Sequence, residues 1–130
     1  MIWSRFIRII TTVICFFLAS YTYAQDAQVS NERDRDAFLN SVVLKAQIDV
    51  CVKRVPALSD ELLPAFENWK EQKGEALSRG EAIARAEWSK TPPSFEVRIQ
   101  RLSNLSARLY EAIAVPDNEI SSKCEALLAK

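Results

Sequence analysis

The chain has 130 residues and a mass of 14.7 kDa, is 48% hydrophobic and 26% charged, and balances 17 basic against 17 acidic side chains. That composition describes one globular domain and is too apolar for a disordered chain. It contains no histidine and only two glycines, Gly74 and Gly80. Ser/His/Asp and Cys/His catalysis, His-ligated zinc and glycine-loop phosphate cradles are therefore excluded.

Residues 1–24 read as a secretory signal peptide. Arg5 and Arg8 precede an uncharged run from Ile9 to Ser20, with Val13, Ile14, Phe16, Phe17 and Leu18 inside it. A run of this length suits a signal h-region and falls short of the roughly 20 apolar residues that span a bilayer. Thr22 and Ala24 occupy the small-residue positions of a cleavage site, so the mature chain is expected to start at Gln25. The alternative, an uncleaved anchor, requires Ile2 to Ala24 to act as one apolar span despite its two arginines. Cys15 follows Thr12, Val13 and Ile14, which is no lipobox, so lipidation is not expected. Loss of Arg5 and Arg8 leaves 15 basic against 17 acidic residues, and the mature protein carries no basic excess. Nucleic-acid binding and a polybasic membrane contact lose their electrostatic footprint. Periplasmic or secreted localisation follows, with no stable membrane insertion after cleavage.

Cys51 and Cys124 are the cysteines left in the mature chain. An even count in a small exported protein predicts one disulfide, here closing a loop of more than 70 residues. A metal or redox pair is the competing reading, but two thiolates without histidine are half a zinc site, and the spacing is not C-x-x-C.

After a disordered polar lead-in over residues 25–31, helical periodicity runs through a bundle domain spanning 32–130. The first helix is expected from about Glu32 to Val55, stopped by Pro56. Leu44, Ile48, Cys51, Val52 and Val55 form one apolar arc, and Leu39, Val43, Ala46 and Val50 a second, nearly opposite. Two arcs predict burial on two sides and a central position. The second helix is expected from a Ser59 cap to about Ser89, with Asp60 and Glu61 in its first turn and an early Pro64. Its stripe of Phe66, Trp69, Lys73, Ala76, Leu77, Gly80, Ile83, Ala84 and Trp88 is core apart from Lys73, and Gly74 or Gly80 can break it. Glu75 with Arg79 and Glu81 with Arg85 are i, i+4 pairs. Thr91 and Pro92 are expected to open a third helix whose stripe is Phe95, Ile99, Leu102, Leu105, Leu109, Tyr110 and Ile113. Asp117 is expected to cap a short fourth helix carrying Ile120, Cys124, Leu127 and Leu128 on one face. Short connections then predict an all-α, up-and-down four-helix bundle, which brings Cys51 and Cys124 to one end.

No catalytic residue, metal site or cofactor is expected. Glu67, Glu71 and Glu75 lie opposite the apolar arc, as a solvated row would. Asp117, Asn118 and Glu119 lack the alternation and glycine of a calcium loop. The Asn104-Leu105-Ser106 sequon falls inside a helix, with Leu105 and Ser106 expected on the core side, and is read as chance. Arg98, Arg101 and Arg108 follow one flank of the third helix and are the candidate partner-binding residues, since guanidinium groups bind carboxylates bidentately. Lys73 interrupts an apolar stripe, as a snorkelling side chain or a point of contact would. Trp69 and Trp88 are expected in the core.

Cys51, Arg54, Pro56, Leu58, Leu62, Ala65 and Trp69, with Gly74 after them, resemble a pattern in small exported proteobacterial helical proteins of unassigned function. The resemblance implies a periplasmic setting and transfers no active site. The build of signal peptide, short helical domain and one disulfide is similar to that of periplasmic immunity proteins and some lysozyme inhibitors. These features lead to an exported helical protein that binds another protein or an envelope component. A structural or envelope-stress protein is the first alternative and an enzyme using only Glu, Asp or Lys the second. The intact mass of protein recovered from periplasm is expected to lack residues 1–24; a mass retaining them replaces cleavage with anchoring.

Overall fold

The fold is taken from a computed structural model that describes the backbone of residues 2–114 and 119–128, and the side chains of residues 25–112 and 119–127. Five α-helices follow in chain order: α1 Ile2–Arg54, α2 Ser59–Gln72, α3 Gly74–Trp88, α4 Phe95–Ala114 and α5 Ile120–Glu125. One-turn 3-10 segments stand at Pro56–Leu58 and Ala126–Leu128. The four main helices, α1 to α4, pack together, and α5 is tied to α1 by the Cys51–Cys124 disulfide.

Helix α1 is longer than expected. No glycine or proline occurs before Pro56, so nothing in the sequence interrupts it, and the polar residues 25–31 are an exposed part of it rather than a separate lead-in. It ends where expected, with Lys53 and Arg54 in the last turn facing the negative end of the helix dipole. Val55 leaves helical geometry at φ −131°, ψ 75°, as a residue before proline must.

Both apolar sides of α1 are used. Ile48 and Cys51 join Leu62 and Phe66 of α2 and Ile120 and Cys124 of α5 in one buried cluster. Leu44, Val52, Val55, Leu58, Trp69, Tyr110 and Leu127 close around it. The other side buries Ala46 and Val50 beneath Ser103 and Ala107 of α4. Facing residues advance in step, from Phe38 with Phe95, through Ser41 and Val42 with Ile99, to Val50 with Ala107. Small side chains on both helices let α1 and α4 lie close.

The single long helix expected over 59–89 is two helices. The chain breaks at Lys73, where φ −106°, ψ 9° leaves helical values, and Gly74 starts α3. Gly80 stays inside α3 as a contact point. A Cβ there would sit inside the Asp34 carbonyl of α1 and 2.9 Å from the Phe38 Cβ. Arg79 donates to Asp34 at 2.6 Å beside this crossing, and Arg35 pairs with Glu87 at 3.3 Å. Beyond it, Phe95 stacks against Phe38 and meets Trp88 at a tilt, with ring centroids 6.1 and 6.0 Å apart.

The caps also differ. Ser59 makes no side-chain cap and is simply the first residue of α2. Thr91 does not open α4; Ser94 does, its hydroxyl accepting the Val97 N–H at 3.4 Å. The two prolines keep Thr91 and Pro92 from helical geometry, so the helix starts at the first capping residue beyond them. Asp117 lies outside the described residues. The expected fourth helix is reduced to the six residues of α5, with Ile120 and Cys124 buried and Leu127 half-buried.

The cysteine Cα atoms are 5.7 Å apart, and both side chains are fully buried. Closing a loop with a sequence separation of 73 is worth about 4 kcal/mol in the chain-entropy model.

Gly80→Ala is expected to destabilise by about 1–3 kcal/mol, the cost of overpacking a close contact. Gly74→Ala, with open space around the added methyl, should be neutral or stabilising by up to about 1 kcal/mol. Urea unfolding of the two variants side by side checks both signs.

Candidate functional site

The titratable residues do not converge. Glu67, Glu71 and Glu75 are exposed; Glu67 pairs with Lys70 at 2.7 Å and Glu75 with Arg79 at 3.5 Å. Among the described residues no group of acidic or cysteine side chains could hold a metal ion, and no helix is long and apolar enough to cross a membrane. The expected Glu75–Arg79 and Glu81–Arg85 pairs are present, but each arginine also reaches another helix. Arg79 holds Asp34, and Arg85 holds Glu96 of α4 at 2.6 Å while its guanidinium lies 4.1 Å from the Phe95 ring centre. The Glu96 backbone N–H and then Arg85 hold the Glu96 carboxyl below the usual glutamate range. Its contribution is present above the ordinary glutamate pKa and is lost as pH falls through the lowered value.

The three candidate arginines have different roles. Arg98 turns back over the 89–94 connection. It donates to the carbonyls of Pro93 at 3.0 Å, Pro92 at 3.1 Å and Thr91 at 3.2 Å, and to the Thr91 hydroxyl at 3.2 Å. Its guanidinium also lies 5.6 Å from the Trp88 ring centre. These contacts commit Arg98 to fixing the α3–α4 turn. Arg101 and Arg108 are exposed and hold no ion pair among the described residues.

The same face of α4 carries exposed apolar side chains, two of which, Leu105 and Leu109, belong to the expected core stripe. Leu105 is 55% exposed, Leu109 49% and Val97 41%. Leu105 lies about a third of a turn from Ile99 around the helix, outside the strip that Phe95, Ile99, Ser103, Ala107 and Tyr110 turn toward α1. The sequon shares this correction: Asn104 and Leu105 are exposed, and the half-buried Ser106 donates to the Leu102 carbonyl at 2.7 Å.

The remaining irregular residues have local partners. Lys73 sits at the α2–α3 break with its ammonium 5.6 Å from the Trp69 ring centre, and the half-buried Trp69 stacks on Phe66 at 5.9 Å. Trp88 is half-buried between Phe95 and Arg98. The Tyr110 hydroxyl lies 3.5 Å from the Cys51 sulfur and 4.0 Å from that of Cys124, and burial raises its pKa. A disulfide has no proton to give, so tyrosine is the donor.

Compared with known protein families, characterised proteins and solved structures, the chain matches none. The resemblance drawn from Cys51 to Gly74 therefore rests on those spaced residues alone, and what stands is a small all-helical protein.

Arg98→Ala is expected to cost about 1–3 kcal/mol, because it strips charged hydrogen bonds from three carbonyls. Arg101→Ala and Arg108→Ala should stay within about 0.5 kcal/mol of the parent. Denaturant midpoints of the three single variants measure the split.

Proposed function

We propose that this protein is an exported, up-and-down helical interaction protein that holds another macromolecule on the outer face of α4 and performs no catalysis itself. The observation that carries the reading is the mixture on that face. Val97, Leu105 and Leu109 are exposed alongside Arg101 and Arg108, whose guanidinium groups have no ion pair among the described residues. Exposed leucine between free arginines suits a partner with an apolar ridge bordered by carboxylates, and arginine is enriched among residues that dominate binding energy.

Export is supported by the N-terminal order of Arg5, Arg8, apolar run and Thr22-Tyr23-Ala24. A buried disulfide agrees with it, since such bonds persist in oxidising compartments. An inhibitory or immunity role toward a toxin or lysozyme is the biological form this reading favours, because such proteins act by covering a partner's surface.

The test compares what co-purifies from periplasm with the parent, with Arg101→Ala/Arg108→Ala and with Leu105→Glu/Leu109→Glu. Both variants are expected to lose the partner at least tenfold, while the arginine variant keeps its thermal stability, because exposed charges contribute only about 0–1 kcal/mol. Unaltered capture discards this face. A turnover abolished by a single Glu or Lys substitution replaces the reading with an enzyme.

A further inference from the structure

Helices α2 and α4 both pack on α1 but make little contact with each other. Between them lies a cleft of about 320 Å³, at the lower end of the volumes that hold small ligands. Its apolar surface comes from Val42 of α1, Phe66 of α2 and Ile99 of α4. Phe66 is held in place by its stack on Trp69 and by burial in the main cluster. Two lysines line it as well, Lys45 of α1 and Lys70 of α2.

Both charged side chains that line this cleft are basic. Its lining includes two lysines and the polar groups of Ser41, Gln100 and Ser103, and no carboxylate. The groove along Ala46 and Val50 instead carries Asp49 and Glu111 beside Lys53 and Arg108, and the one beside Trp88 carries Glu96 beside Arg85. Among the described residues the lysines are ion-paired along their own helices, Lys45 with Asp49 and Lys70 with Glu67, and the Lys70 ammonium lies 5.0 Å from the Phe66 ring centre. Exposed pairs at this spacing are weak and yield to a better-placed anion. At about 30 Å³ for each water-sized group, the cleft takes roughly ten heavy atoms.

We propose that this cleft binds a small amphiphilic anion, a carboxylate with a short apolar body. The head would lie between Lys45 and Lys70, and the body on Phe66, Val42 and Ile99. This site is separate from the α4 outer face, and neither reading depends on the other.

The probes are octanoate, octanol and octyltrimethylammonium, titrated into the isotope-labelled full chain and followed by amide NMR shifts. Octanoate is expected to shift Val42, Lys45, Phe66, Lys70 and Ile99 saturably, with octanol and the cation at least tenfold weaker. Lys45→Gln/Lys70→Gln should weaken octanoate at least tenfold. Gln100→Trp, a substitution at an exposed position, should block it by filling the cleft. Both variants should keep the parent spectrum elsewhere. Equal binding of all three probes, binding that survives both variants, shifts confined to other residues, or no saturable shift each overturns the proposal.

Discussion

Helix α1 is apolar on two sides, and the other helices take their places from the side they cover. Leu44, Ile48, Cys51 and Val52 draw α2 and α5 to one side, while Ala46 and Val50 accept α4 on the other. A helix buried once can be replaced by any surface of matching shape. One buried twice becomes the common neighbour of everything else, and the packing of each partner limits the others. Helix α3 makes a close approach at Gly80, where it meets the Asp34 carbonyl without a side chain between them. The Arg79–Asp34 pair beside that contact adds direction to it, since a lone close approach resists sliding but not rotation.

The disulfide completes what packing alone leaves weak. Helix α5 has six residues, far fewer than a helix needs to be stable by itself in water. It stays folded because Ile120 and Cys124 are buried against α1 and α2, and because the covalent bond removes much of the entropy gained by releasing it. Tyr110 extends this anchorage to α4 by placing its hydroxyl beside both sulfurs. One corner of the molecule thus ties together α1, α2, α4 and α5.

Among the described residues, most titratable groups are dispersed along solvated faces. Arg98 and Arg101 are three residues apart in one helix, yet the first serves a turn and the second faces water. The difference lies in neighbours: Arg98 stands within reach of three carbonyls freed by the prolines of the α3–α4 connection, and Arg101 does not. The proposed partner face of α4 and the proposed ligand cleft between α2 and α4 both use side chains of this outward-facing kind.

The all-helical class, the central two-sided position of the first helix, the stop at Pro56 and the Cys51–Cys124 bridge were legible in the sequence. Each depends on short-range periodicity, on proline geometry or on cysteine count, which hold regardless of what packs nearby. The cap at Ser94 follows from the prolines before it, whereas the break at Lys73 and the outward placement of Leu105 and Leu109 were decided by tertiary structure. The sequence offered two glycines as breaking points, and the close crossing at Asp34 decided that Gly80 stays within α3 while the chain parts at Gly74. It likewise offered seven apolar or aromatic residues for the third helix. The contact with α1, along Phe95, Ile99, Ser103, Ala107 and Tyr110, determined which of the described ones would be covered, because burial depends on the width of the neighbour and not only on the hydrophobicity of the residue.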